Sequence, residues 1–246
     1  MDVTFLGTGS AMPIPDRVQT GLLIEKADTS MLLDCGSGVL HRLVNTNRGY
    51  EDIETVLLTH HHIDHISDLL PLLKARWLVG KPSLRIVGPT GTESLIKNLL
   101  EVHEYLQDRL ELQFQELDAG NYHIGPFEIA SKETRHSMHC LAYKIDNKFT
   151  FSADTEAFEE LIEFAADSQV LVHDCSFPDE IDVSNHPTPE KLGAVLSGHS
   201  FEQVYLTHLY PHTEGKHNEM LESINEQYSG EVRFARDGRT ISIPDR

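Results

Sequence analysis

Four potential metal ligands, His60, His62, Asp64 and His65, crowd into the turn of the stretch Leu57-Leu58-Thr59-His60-His61-His62-Ile63-Asp64-His65. Imidazole together with carboxylate suits Zn²⁺, with Mn²⁺ or Fe as alternatives. Alternate residues of an extended turn share a direction, so His60 and His62 point the same way, while Asp64 and His65 open the next helix and face a second ion. His136, Asp154 and His208 stand after other strand-like runs and raise the ligand count to seven. Their natural division is His60, His62 and His136 on one ion, Asp64, His65 and His208 on the other, and Asp154 as the bridge. A structural zinc uses four ligands with no open position, so seven point to chemistry. Two ions about 3.5–4 Å apart can clamp the attacking and leaving oxygens of a displacement and bring a water toward ionisation near neutral pH.

The elements that must position these groups alternate between strand and helix patterns. Val56, Leu57 and Leu58 read as a buried strand ending at the histidine turn, followed by a helix over 66–78 bent at Pro71 and a long helix over 92–107. His103 on that helix reads as a surface or capping residue. Residues 3–6 form a strand entering Gly7-Thr8-Gly9, a tight turn or a loop whose N–H groups could meet an anion. A strand over 31–33 ends in Asp34, placed to orient a metal ligand from behind or to cap a helix. A hairpin over 141–152 turns at Asp146-Asn147 and delivers Asp154; a strand over 170–172 leads to His173-Asp174. Thr188 and Pro189 then open a helix as N-cap and first position. The segments Ile53-Glu54-Thr55-Val56-Leu57-Leu58-Thr59-His60 and Phe201-Glu202-Gln203-Val204-Tyr205-Leu206-Thr207-His208 run in parallel. An internal duplication is therefore expected, with His60 and His208 at equivalent strand ends.

One domain spanning 1–246 accommodates this pattern, with a sizeable core and no need of disulfides. Cys35, Cys140 and Cys175 are odd in number and lack Cys-x-x-Cys spacing, so they read as small buried residues. No run is apolar enough for a membrane span and the N-terminus has no signal-peptide pattern, so a cytoplasmic protein without a membrane partner is expected. With 39 Asp plus Glu against 20 Lys plus Arg, the formal charge is -19. Such a surface repels nucleic acid in dilute salt. The same balance suits a salt-loaded cytoplasm, where screening over about 3 Å at 1 M salt removes that objection.

On its motifs the chain resembles the metallo-β-lactamase-fold hydrolases, and within them the ribonuclease Z branch. The resemblance runs through Phe5-Leu6-Gly7-Thr8-Gly9, Leu33-Asp34-Cys35-Gly36, residues 59–65, His136-Ser137, Ala153-Asp154-Thr155 and Leu206-Thr207-His208. It implies an α/β fold, an αββα sandwich with the dinuclear site at one edge of its two sheets. His186-Pro187-Thr188 is similar to the family's His-Ser-Thr loop, and His173-Asp174-Cys175-Ser176 to its His-Glu-Ala-Thr segment. By that similarity His186 acts as the general acid, oriented by Asp174, and Asp64 assists as ligand and base. Two departures bear on the substrate. Only residues 137–153 separate His136 from Asp154, room for a hairpin and not for the long arm that grips tRNA. Leu209-Tyr210-Pro211-His212 stands where the family has Ser-x-Arg-Tyr.

The expected protein is a dinuclear zinc phosphodiesterase acting on RNA, without efficient tRNA 3′ processing, and with a homodimer possible. One alternative is hydrolysis of a small or cyclic phosphodiester; the related phosphodiesterases of phosphonate breakdown often carry a further Cys-rich zinc site, which this sequence lacks. The other is a catalytically weak RNA-binding or assembly protein that keeps the metals.

Overall fold

The computed structural model describes residues 1–181 and 183–244. Its first half contains β1 (Asp2–Gly7), β2 (Gly21–Lys26), β3 (Thr29–Leu33), α1 (Val39–Leu43), β4 (Thr55–Leu57), α2 (Ile63–Ile66), α3 (Leu69–Leu78), β5 (Ser83–Pro89), α4 (Thr92–Val102), α5 (Glu104–Gln107) and β6 (Glu111–Leu117). The second contains β7 (Gly120–Ile124), β8 (Phe127–Glu133), β9 (Leu141–Ile145), β10 (Phe149–Phe151), α6 (Glu159–Ala165), β11 (Val170–Asp174), α7 (Pro189–Leu196), β12 (Gln203–Thr207), α8 (His217–Asn225), β13 (Val232–Phe234) and β14 (Thr240–Ser242). Two seven-stranded sheets result, ordered β14-β1-β2-β3-β4-β5-β6 and β13-β12-β11-β10-β9-β8-β7. No helix among the described residues is long and apolar enough to cross a membrane.

Both faces of the central strands are buried, and side chains alternate between two cores as the period-2 pleat requires. Val3, Phe5, Leu22, Ile24, Leu33 and Leu57 face inward, where they meet Tyr143, Phe149, Phe151, Val172 and Tyr205 of the other sheet. Leu23, Leu32, Val56, Leu58 and Ile86 face outward under the first-half helices, and Leu171, Val204 and Leu206 face outward under α7 and α8. This is the αββα layering expected from the sequence. Fully burying each such side chain stabilises the fold by about 1.5–3 kcal/mol.

The halves repeat one plan: β1 to β6 and β8 to β13 each begin with two antiparallel pairings and continue with three parallel ones. In that plan β4 corresponds to β11, and β12 corresponds to β5. The expected equivalence of His60 and His208 is therefore wrong, although the duplication itself holds. Both strands are flanked on each side by parallel neighbours, and that common environment selects the same apolar run ending in Thr-His.

Two helices differ from expectation. The predicted 66–78 helix splits at Ser67-Asp68, where the Asp68 carboxylate accepts the Leu40 N–H at 2.9 Å. Pro71 bends nothing, since it lies in the first turn of α3 where no N–H is needed. The 92–107 helix breaks at His103, an exposed residue at φ -111° and ψ 54°. At Asp146 and Asn147 the hairpin turn has φ 52° at both positions, the left-handed pair that a two-residue hairpin takes. Gly7-Thr8-Gly9 is a close packing turn: an added Cβ at Gly7 would stand 1.7 Å from the Gln19 carbonyl oxygen, and the Thr8 and Gly9 N–H groups are bonded to Asp237 and the Val18 carbonyl.

Candidate metal centre

Every candidate residue except His186, which lies in the loop between β11 and α7, leaves a strand at the same edge of the sandwich. Asp34 follows β3, residues 59–65 follow β4, His136 follows β8, Asp154 follows β10, Asp174 ends β11 and His208 follows β12. The two sheets are joined beneath this edge, where the buried Tyr143 hydroxyl donates to the Leu58 carbonyl at 2.8 Å and Leu141 N–H donates to the Thr59 carbonyl at 3.0 Å. Asp34, Ala153, Asn185 and His208 hold φ values of 60°, 55°, 68° and 59°. Each such left-handed residue costs about 1–2 kcal/mol, strain gathered where the chain must turn sharply to aim a side chain.

His60, His62, His136 and Asp154 form one cluster of ligand atoms within 4.8 Å of one another, and Asp64, His65 and His208 form another. His60 Nε2 and His136 Nε2 stand 3.0 and 3.1 Å from His62 Nδ1, close to the roughly 3.3 Å between two ligands of one tetrahedral ion at about 2.0–2.1 Å. Asp154 reaches both clusters: Oδ2 is 3.6 Å from His60 Nε2 and 3.2 Å from His208 Nε2, and Oδ1 is 3.4 Å from His65 Nε2. Asp64 Oδ2 lies 3.2 Å from His208 Nε2 and 3.8 Å from His65 Nε2. The buried Nε2 of His65 has no hydrogen-bond partner among the described residues. An orphaned imidazole nitrogen between two carboxylates is costly in a bare protein and fits a cation.

The supporting groups set which ring nitrogen is free. His65 Nδ1–H donates to Asp34 Oδ2 at 2.8 Å, and Asp34 also accepts the Thr59 N–H and hydroxyl, each at 2.8 Å. His60 Nδ1–H in turn donates to Thr59 Oγ1 at 2.9 Å. Asp34 thus orients two histidines, and it caps no helix: Gly38 is the N-cap of α1. His136 Nδ1–H donates to the Asn185 carbonyl at 3.2 Å, and His208 Nδ1–H to Ser176 Oγ at 3.0 Å. Burial holds His60 well below its usual range, and it lowers His62 and His136 too, which favours the neutral ring that a metal ligand needs. For Asp154 burial acts upward but the His208 and His65 imidazoles outweigh it, holding the carboxyl well below the usual range.

His186 stands beside this pair of clusters, stacked on His208 at 5.3 Å between centroids and 14° between planes, with one nitrogen within 4.8 Å of the ligand atoms of Asp154 and His208. Its Nδ1–H donates to Asp174 Oδ2 at 2.7 Å. Burial lowers its pKa, but the Asp174 carboxylate prevails and the imidazole is pushed up to about 9. Its second ring nitrogen has no hydrogen-bond partner among the described residues. Asp174 is fully buried and also accepts the Ser176 hydroxyl at 2.5 Å and the Thr155 N–H at 3.2 Å.

Of the ten predicted residues, His60, His62, Asp64, His65, His136, Asp154, His186, His208 and Asp174 therefore meet at one edge, with Asp34 directly behind them. Three partners escaped sequence reasoning. Ser176 links Asp174 to His208, Asn185 fixes His136 through its backbone, and Tyr210 packs against the His186 and His208 rings at 5.9 and 5.7 Å. The serine's place in His173-Asp174-Cys175-Ser176 was the one signal available; a backbone carbonyl carries none.

Known proteins resemble this chain along much of its length. The family model described as "Anti-Pycsar protein Apyc1" matches residues 1–241. The "Probable metallo-hydrolase YhfI" of Bacillus subtilis is 30% identical over 256 aligned residues, covering 97% of this chain and 98% of that protein. The crystal structure of YhfI, a metallo-beta-lactamase fold protein, matches with a TM-score of 0.84 at 26% identity over 98% of each chain. A "Ribonuclease Z" from Methanopyrus kandleri is 35% identical over 144 residues, which is 58% of this chain and 49% of that relative, so the match spans about half the relative's length. The chain thus belongs to the Anti-Pycsar protein Apyc1 family, and it is a short, ribonuclease Z-like, metal-dependent hydrolase of the metallo-β-lactamase fold.

Proposed function

We propose that this metal-dependent phosphodiesterase is a dinuclear zinc enzyme, and the observation that carries the reading is the pair of ligand clusters sharing Asp154. His60, His62 and His136 would hold one ion, Asp64, His65 and His208 the other. When bound, such a pair supplies Lewis acidity at phosphorus and an activated water. Asp64 and Asp154 place negative charge at the centre, with Asp64 also a base for the attacking water's proton. His186 keeps a proton on the nitrogen that faces the centre and gives it to the departing oxygen, while Asp174 holds the ring and restores its charge preference. Asp34 and Thr59 fix the tautomers behind the ligands. The three unpaired buried cysteines suit a reducing compartment, and we place the protein in the cytoplasm.

For the substrate we favour RNA that needs no arm to be gripped. The chain between His136 and Asp154 is the β9–β10 hairpin, which leaves a tRNA elbow without a docking element. A second reading, a small or cyclic phosphodiester, is supported by the same hairpin together with the -19 charge, which opposes polyanions in dilute salt. One assay separates them. Metal-loaded protein is given unstructured RNA, a 3′-extended tRNA precursor, a cyclic nucleotide and bis(p-nitrophenyl) phosphate from low to molar salt. Cleavage of unstructured RNA with little accurate tRNA trimming is expected; accurate trimming would overturn the hairpin argument, and turnover of the small diesters alone would establish the second reading.

A further inference from the structure

Tyr210 is two residues beyond His208, and its backbone is fixed on both sides. Leu209 N–H donates to the Thr8 carbonyl at 3.1 Å, Tyr210 N–H to the Ser176 carbonyl at 3.4 Å, and the Tyr210 carbonyl accepts from Thr213 N–H and Oγ1 at 3.0 and 2.8 Å. Its ring is fixed as well. Phe177 stacks on it at 4.5 Å and 26°, while His186 and His208 meet it edge to face at 63° and 68°. His212 closes the far side, 5.4 Å from Phe177 and 6.5 Å from Tyr210. Packing on this scale leaves the ring few alternatives.

The hydroxyl of this immobilised ring makes no hydrogen bond among the described residues, and the residue is only half-buried. A buried phenol normally finds a partner, and a fully exposed one has water. Here the ring that carries this donor stands beside the candidate ligand His208 and the candidate general acid His186. From this geometry we infer that Tyr210 is a phosphoryl-binding residue: its O–H donates to a non-bridging oxygen of the substrate phosphodiester, and Phe177 and His212 hold the ring that presents it. The inference rests on the phosphodiesterase reading and adds a donor that the seven ligands and His186 do not supply. A donor prepositioned where charge grows at phosphorus acts without reorganisation during the reaction.

The test compares Tyr210→Phe and Tyr210→Leu with the unmodified, metal-loaded enzyme. With bis(p-nitrophenyl) phosphate, Tyr210→Phe should lower kcat/KM about 10- to 100-fold, with metal content and Tm unchanged. The loss should be the same for good and poor leaving groups, because the donor serves a non-bridging oxygen; a group acting on the leaving oxygen would show a graded loss. Binding of inorganic phosphate to the same proteins, followed by calorimetry, needs no turnover and should weaken in parallel. Tyr210→Phe with unaltered turnover and unaltered phosphate binding would overturn the inference. An enzyme inactive on every diester, yet losing phosphate affinity in Tyr210→Phe, would sink the phosphodiesterase reading and leave Tyr210 as an anion donor. Tyr210→Leu serves as the packing control: a fall in its Tm and metal content that Tyr210→Phe does not share assigns the ring to structure and the hydroxyl to the substrate.

Discussion

Replacing Asp174 by Asn removes one charge and keeps the shape of the side chain, which makes it the sharpest probe of the proposed acid. In the native protein Asp174 holds His186 up to about 9 across a 2.7 Å hydrogen bond, against an ordinary value of 6.5. Without the Asp174 carboxylate, burial is opposed only by the weaker pull of Asp154 and Asp64, and the imidazole falls back toward its ordinary 6.5. The protonated form is the one that can donate to a leaving group, so activity is present below the pKa and is lost as pH rises through it. At pH 8 the protonated fraction drops from about 0.9 to about 0.03, a loss of roughly 30-fold; at pH 6 it drops from about 1.0 to about 0.8, which is nearly nothing. The assay is kcat against pH for a diester with a poor alkoxide leaving group. The alkaline limb should move down by about 2.5 pH units, with metal content constant. The buried amide should also cost about 1–3 kcal/mol of stability, because Ser176, His186 and Thr155 lose a charged acceptor. A loss of equal size at every pH, or an unmoved alkaline limb, would refute the role given to the Asp174–His186 pair.

Asp154→Asn should release metal from both clusters, so elemental analysis of freshly purified protein is expected to fall from two ions per chain to fewer than one; retention of two would remove Asp154 as the bridge. His186→Ala should keep its metal and lose turnover about 10²- to 10⁴-fold with alkoxide leaving groups, but much less with nitrophenolate, which departs without a proton. Uniform losses would mean positioning. Tyr143→Phe takes the donor from the Leu58 carbonyl beneath the site and should cost about 1–3 kcal/mol, seen as a Tm lower by a few degrees; an unchanged Tm would show that the link between the sheets contributes nothing. The apo protein should lose the His186–Asp174 contribution to stability as pH rises from 6.5 through about 9, since a raised imidazole pKa favours the folded state at low pH. Denaturation of metal-free protein across that range checks the sign.

Much of the fold was legible because its strands are buried on both faces and its hairpins carry their own turn residues. Val56-Leu57-Leu58 and Val170-Leu171-Val172 could hardly be anything else, and Asp146-Asn147 announced a turn. The cluster of candidate ligands was legible too, since histidine and aspartate after apolar runs stand out against any background. What sequence could not convey was three-dimensional equivalence: the paired Thr-His endings of β4 and β12 reflect like surroundings and not like positions. Helix breaks were missed for a local reason. Asp68 left the helix to accept the Leu40 N–H, a tertiary bond that no periodicity contains. Ser176, Asn185 and Tyr210 were silent because their importance lies in what they touch.

The pairing of β14 with β1 has a consequence for how the protein is made. Asp2, Val3 and Thr4 align with Ser242, Ile241 and Thr240, and Met1 and Ile243 exchange backbone hydrogen bonds. At a synthesis rate of about 5–20 residues per second, the first strand leaves the ribosome roughly 12–50 s before the strand that covers its edge. Through that interval β1 carries an open row of N–H and C=O groups beside the apolar Val3 and Phe5, a template for pairing with other chains. His208, too, arrives late, so six of the seven proposed ligands exist on the nascent chain before their set is complete. Closure of the first sheet therefore waits for residues 240–242, and a chain stalled before residue 208 has the histidine turn of the proposed site without the means to finish it.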